Sequence, residues 1–191
     1  MNVREMRQAR AFRRAYGRFR NLHAIYRKIG GLIEMPMRLG DAIPSLEGAT
    51  EWLNGTEVKS DELVGAPAMI YFWASSCGIC KENMPKLKEL RDRYAAKGLK
   101  TVAIHMPRYE EDTNLETVKA TIAEHHIDDV CAVDNLHKLK DAFLNEQGWV
   151  PVYYLFDEEG KLKSRGAGEY GIGNLTQGLE KMFPDAAATT A

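Results

Sequence analysis

The sequence predicts an α/β fold, and three observations predict it. From Leu39 onward, strand-like and helix-like segments alternate along the chain. The run Pro67-Ala68-Met69-Ile70-Tyr71-Phe72-Trp73, bounded by Gly65 and Ser75, is apolar throughout, the pattern of a central strand buried on both faces. The segment that follows, Ile79 to Lys97, places Met84, Leu87, Leu90 and Tyr94 on one face and Lys and Arg on the other, the pattern of a helix lying on a sheet.

A chain of 191 residues is one ordinary domain plus a short appendage. With 45% apolar and 28% charged residues and a net charge of −1, its composition is neither disordered nor fibrous, and it offers no bulk charge to nucleic acid. The longest apolar run, Ala68 to Ala74, falls short of the roughly 18 residues of a membrane span.

Residues 1–36 read as a basic extension, 37–184 as the folded domain and 185–191 as a disordered tail of small residues. Residues 1–30 carry a net charge of +8, with Glu5 the lone acid, and the rest of the chain carries −9. Met6, Ala9, Phe12, Tyr16, Phe19, Tyr26 and Ile29 recur at steps of three, four or seven, which predicts an amphipathic helix ended by Gly30-Gly31. Such a helix can lie on an anionic membrane surface, dock on an acidic partner or act as a transit peptide, although the serines of a transit peptide are missing. Arg13-Arg14 is not followed by the apolar stretch of a secretory signal. Met35 and Met37 offer an alternative start, and Ile29-Gly30-Gly31 can be encoded by a purine-rich ribosome-binding stretch ahead of them.

Within the domain, Ala49–Asn54 reads as a short edge strand, Leu99–Met106 as a buried strand and Gly98 as the cap of the helix before it. Leu115–His126 and Asn135–Asn145 read as helices on either side of a short strand, Val130–Val133. Pro151–Phe156 and Lys161–Arg165 flank Asp157-Glu158-Glu159-Gly160 as a hairpin, and Leu175–Phe183 is the closing helix.

Cys77-Gly78-Ile79-Cys80 stands after the buried strand, in the first turn of the predicted helix. Thiolate is the reactive form of cysteine, and the unpaired N–H groups and positive end of a helix stabilise it. Cys77 is therefore the expected nucleophile. Cys80, one turn on, is placed to attack a mixed disulfide and resolve it. Two other readings stay open at this point: half of a zinc site completed by Cys131 with His125 or His126, or two inert core cysteines. Three cysteines are too few, and odd in number, for a disulfide scaffold.

Phe72-Trp73-Ala74-Ser75-Ser76-Cys77-Gly78-Ile79-Cys80-Lys81 with Met84-Pro85 resembles the active-site segment of the thioredoxin superfamily. The long insertion after the second strand and Gly148-Trp149-Val150-Pro151-Val152-Tyr153-Tyr154-Leu155-Phe156-Asp157-Glu158-Glu159-Gly160-Lys161 resemble the TlpA/ResA-type thiol-disulfide oxidoreductases, or redoxins, across Leu39 to Phe183. The resemblance implies a thioredoxin-like fold, a central mixed sheet with helices on both faces. It also implies that Pro151 is a cis-proline against the cysteine pair, leaving the Val150 backbone to pair with a substrate strand. Trp73, Ser76, Gly78, Ile79, Val150 and Pro151 are then the expected active-site support.

Several positions depart from the family. Ser76 stands where a Trp is usual, Ile79 where Pro is common, and Asn83 where an acidic residue is common, with Glu82 shifted by one; Tyr71 stands where thioredoxin has a buried Asp. Glu82 is the candidate for proton transfer to Cys80. Without a His between the cysteines, a reducing potential near thioredoxin's roughly −270 mV is expected rather than a strongly oxidising one. Cys131 reads as a buried hydrophobe, with a regulatory thiol as the alternative. Trp73 and His105 read as structural, Trp52 and Trp149 as core or groove rim, and Tyr109-Glu110-Glu111-Asp112 as a solvated loop bordering the cysteine pair.

The expected activity is reduction or exchange of protein disulfides through a mixed disulfide, with a disulfide-containing protein as substrate and an unidentified electron donor. The redox-active pair Cys77 and Cys80 serves, with no metal or organic cofactor. A thiol peroxidase is the rival enzyme, but the Pro and Thr that peroxiredoxins place ahead of their cysteine are absent. A redox-sensing binding module tethered by the basic helix is the rival from another class. A reduced cysteine pair with no recognisable signal peptide predicts the cytoplasm, with an extracytoplasmic place as the alternative that the family resemblance implies.

Overall fold

Strand β2 (Ala68–Trp73) is the centre of the computed structural model, which describes residues 36–184. Six strands form one mixed sheet in the order β1-β4-β3-β2-β5-β6. They are β1 (Glu51–Leu53), β3 (Lys100–His105), β4 (Val130–Val133), β5 (Val152–Phe156) and β6 (Leu162–Ala167) around β2. β2, β3 and β4 run parallel, and β1, β5 and β6 pair antiparallel to their neighbours. The parallel pairs are bridged by helices, α1 (Gly78–Ala95) and α2 (Leu115–Glu124), as parallel connections require. α3 (Lys138–Ala142) and α4 (Gly171–Met182) complete the set.

Strand alternation divides the core into two layers. Met69, Tyr71 and Trp73 of β2 and Tyr153 and Leu155 of β5 meet Met84, Leu87, Leu90 and Tyr94 of α1, Val118 and Ile122 of α2, and Leu175 and Leu179 of α4. The opposite residues, Ile70 and Phe72 with Tyr154 and Phe156, meet Leu139 of α3, Phe143, and Met37, Leu46 and Leu63 from the approach to the sheet. β2 is buried at every position, as its unbroken apolar run predicts.

Three elements differ most from expectation, and for α3 and α4 the reason is local. The helix predicted over Asn135–Asn145 shrinks to α3. His137 enters it with a left-handed φ of +57°, and the Asp134 carboxylate accepts the N–H groups of Leu139 and Lys140 at 3.0 and 2.8 Å. The predicted edge strand shortens to the three residues of β1. α4 begins four residues before Leu175, because a pair of glycines lets its first turn sit on β6. A methyl group on Gly166 would stand 2.5 Å from the Gly171 carbonyl oxygen and 2.9 Å from its Cα. Backbone cannot yield as a flexible side chain can, so Gly166→Ala is expected to cost about 1–3 kcal/mol in urea unfolding. A cost below about 0.5 kcal/mol would show that α4 moves away freely.

The predicted helix over residues 1–30 and the tail over 185–191 lie outside the described residues, as does all but the last residue of the 1–36 extension. Among the described residues, no helix is long and apolar enough to cross a membrane.

Candidate functional site

The turn from β2 into α1 presents the two cysteines. Cys77 is the residue that caps α1, with extended backbone, and its Sγ accepts the N–H of Cys80 at 3.1 Å. Cys80 follows one helical turn on, and the two are joined as a disulfide with Cα atoms 5.3 Å apart. Cys77 is 2% exposed and Cys80 1%, while Ser76, Gly78 and Ile79 beside them are open to solvent. The pair thus lies just beneath the surface, under short or apolar side chains.

Facing the disulfide is the segment that leads into β5. The Val150–Pro151 peptide is cis, and the Val150 carbonyl oxygen lies 3.5 Å from Cys77 Sγ. Pro151 is buried, and its carbonyl accepts the N–H of Gly168 at 2.8 Å. Asn145, itself buried, holds the approach: its amide donates to the Trp149 carbonyl at 2.9 Å and accepts the Trp149 N–H at 3.1 Å. Trp149 is left half exposed and stands on the rim, whereas Trp52 packs against the far core layer.

Behind the disulfide, Trp73 and His105 are structural, as expected from the sequence. Trp73 is wholly buried, its ring edge-on to His105 at 4.8 Å, so it supports the site from beneath and cannot touch a substrate. His105 Nε2 faces the Ser75 N–H at 3.3 Å and its hydroxyl at 3.2 Å. Burial pushes the imidazole down to about 4, against a weaker upward pull from Asp112, so it is neutral at physiological pH.

Asp112 corrects the reading of Tyr109–Asp112 as a solvated loop. Glu110 and Glu111 are exposed, but Asp112 is buried and its carboxylate is bonded to Ser76, the residue before Cys77. Nothing in the run of acidic residues distinguishes the one that turns inward. Asn145 was likewise illegible as more than the end of a helix.

Glu82 is also corrected. It is exposed on α1 while Cys80 is buried, and residues two apart on a helix do not face each other. The neighbour of Cys80 at the next turn is Asn83, whose amide donates to the Tyr153 hydroxyl at 3.2 Å. Burial pushes the Tyr153 phenol up to about 12. Tyr71 donates its hydroxyl to Asp129 at 2.8 Å, with Thr101 and Arg91 on the same carboxylate.

Cys131 is wholly buried on β4, and burial pushes its thiol up to about 12, so it stays protonated and unreactive. Among the described residues, no three His, Cys, Asp or Glu side chains converge as a metal-binding group.

The chain is similar to known proteins. Residues 38–178 match the Redoxin family. The chain is 43% identical over 150 residues to the thiol-disulfide oxidoreductase YkuV of Bacillus subtilis, covering 78% of this chain and 99% of that protein. It is 25% identical over 148 residues to the thiol-disulfide oxidoreductase ResA of Bacillus cereus, covering 78% of this chain and 80% of the relative. The solution structure of a thioredoxin-like protein in the oxidised form superposes with a TM-score of 0.70 at 43% identity, over 78% of this chain and 99% of that one.

Proposed function

The chain belongs to the Redoxin family and is a thiol-disulfide oxidoreductase of thioredoxin-like fold, and from that premise we propose that it reduces protein disulfides, with Cys77 attacking and Cys80 resolving. The observation that carries this assignment is the asymmetry of the pair. Cys77 Sγ sits at the helix end, receives an N–H and faces Val150, while Cys80 is set one turn deeper. A helix N-terminus favours the thiolate of Cys77 over that of Cys80.

In the reaction, the Cys77 thiolate forms a bond to one sulfur of the substrate disulfide, whose S–S bond breaks. The leaving sulfur takes a proton from solvent. Cys80 gives up its proton to solvent and attacks Cys77 Sγ, which releases the second substrate thiolate. The substrate gains two electrons and the enzyme becomes the Cys77–Cys80 disulfide seen here. A dithiol donor must return the two electrons, and the chemistry calls for no metal or organic cofactor.

Three features support a protein substrate and a reducing direction. Ile79, Tyr109, Trp149 and Tyr170 expose large apolar surface on segments tied to the cysteine pair and to Pro151, which suits a polypeptide. The Val150 N–H makes no hydrogen bond with the described residues, so it can pair with an extended strand. Among the described residues no cation is bonded to Cys77, and the ionised Asp112 carboxylate is bonded to Ser76 beside it, so of these groups the helix end is what stabilises the thiolate. We place the protein in the cytoplasm, where thiols are kept reduced, and finding it in an extracytoplasmic fraction would overturn that placement.

Thiol trapping across glutathione and dithiothreitol buffers tests the reading. A two-electron couple near −270 mV is expected, retained in Cys131→Ser and lost in Cys80→Ser. A much higher potential would make the protein an oxidant or isomerase, and no reversible couple would remove the assignment.

A further inference from the structure

The loop that delivers Cys77 is held from outside by a single carboxylate. The Ser76 N–H donates to Asp112 Oδ1 at 2.9 Å, and the Ser76 hydroxyl to Oδ2 at 2.7 Å. Oδ2 also accepts the N–H groups of Arg108 at 2.9 Å and Tyr109 at 3.4 Å. Asp112 is 3% exposed, so these bonds are shielded from competing solvent. Burial acts to raise its carboxyl, but the bonds from Ser76 and from the backbone outweigh this and hold it below the ordinary carboxylate range. The group is therefore ionised at neutral pH.

A fixed negative charge bonded to the residue before Cys77 opposes the positive end of α1. Whatever disfavours the thiolate disfavours the dithiol form, which makes the couple more reducing; the converse holds where a stabilised reduced form makes an oxidant. The other ionisable groups at this end act differently. His105 is neutral, Tyr153 is a neutral phenol and Asp134 is engaged with the N–H groups of Leu139 and Lys140. Arg108 lies over the Tyr109 ring, and Lys81 and Glu82 stand on the next residues of α1.

We propose that Asp112 is a positioning residue of the exchange reaction: through Ser76 it fixes the loop that carries Cys77, and its ionised carboxylate sets how strongly the couple reduces. This rests on the reductase reading above.

Asp112→Asn and Ser76→Ala, made in the full chain, separate an electrostatic role from a merely structural one. Both are equilibrated with glutathione buffers, and the pH profile of Cys77 alkylation is recorded. In Asp112→Asn the alkylation midpoint is expected to fall by about one pH unit. The equilibrium constant should move about tenfold toward the dithiol, about 30 mV for a two-electron couple. Ser76→Ala keeps the charge but removes its closest donor, so its midpoint and equilibrium are expected to move the opposite way. Variants that leave both readouts unmoved, or that move them in the same direction, would overturn the proposal. If Asp112→Asn does not fold, a Ser76→Ala shift toward the dithiol would overturn it alone, and the opposite shift would uphold it. Failure of the wild type to show any reversible couple would instead remove the reductase reading.

Discussion

Cys80→Ser is expected to stop the reaction halfway, with Cys77 left bonded to its substrate. The first exchange needs only Cys77, whose position at the end of α1 is unaffected by replacing one sulfur with oxygen on the next turn. The second exchange needs a thiol held against Cys77 Sγ, and the 5.3 Å separation of the two Cα atoms shows that the helix supplies this contact without rearrangement. Well-oriented intramolecular groups act at effective concentrations of about 10⁵ M or more, which millimolar external thiol cannot match. Multiple-turnover disulfide reduction should therefore fall by at least about 10³-fold, while a covalent enzyme–substrate adduct accumulates. Non-reducing electrophoresis and mass spectrometry of the adduct check this. Cys77→Ser should lose the activity and form no adduct. Adducts formed equally through Cys80 in that variant would reverse the assigned roles.

The largest expected effect on stability is at Asp129, far from the chemistry. This carboxylate precedes β4, accepts the Tyr71 hydroxyl of β2 and the Thr101 hydroxyl of β3, and pairs with Arg91 of α1 at 3.4 Å. Asn54 adds a bond to its carbonyl at 3.1 Å. Four elements thus meet on one residue that is 6% exposed. Asp129→Ala would leave the Tyr71 and Thr101 hydroxyls without their acceptor and take from Arg91 the buried one of its three carboxylate partners. Each buried hydroxyl left without its acceptor costs about 1–3 kcal/mol, and these losses set the expected effect, since Arg91 keeps Asp92 and Asp128. Asp129→Asn, which keeps an acceptor but no charge, should fall between. Chemical denaturation with an unchanged slope would establish the loss as one of stability. A loss below about 1 kcal/mol would mean that the Tyr71 and Thr101 hydroxyls find another acceptor at no cost.

The two residues differ in how far the sequence announces them. Cys80 is announced by spacing, since three residues on a helix make one turn and the helix start is marked by an apolar strand before it. Asp129, Asp112 and Asn145 are announced by nothing local. Each is a common surface residue type whose burial follows from partners 28 to 58 positions distant, or from a loop that closes on itself. Glu82 shows the converse. It looked like a proton carrier by nearness in sequence, yet helical geometry turns it away from Cys80.

By itself, the sequence determined the strand-and-helix alternation, the fully buried β2, the amphipathic α1 and the reactive pair at its start. These rest on periodicity and on short-range geometry, which a chain carries locally. Only the tertiary structure decided that Asp112 reaches Ser76, that Asn145 holds Trp149, and that α3 is cut short by the side chain of Asp134. The physical reason is that a buried polar group must find a partner wherever the fold brings one, and the partner's place is set by how the sheet stacks, not by the order of residues along the chain.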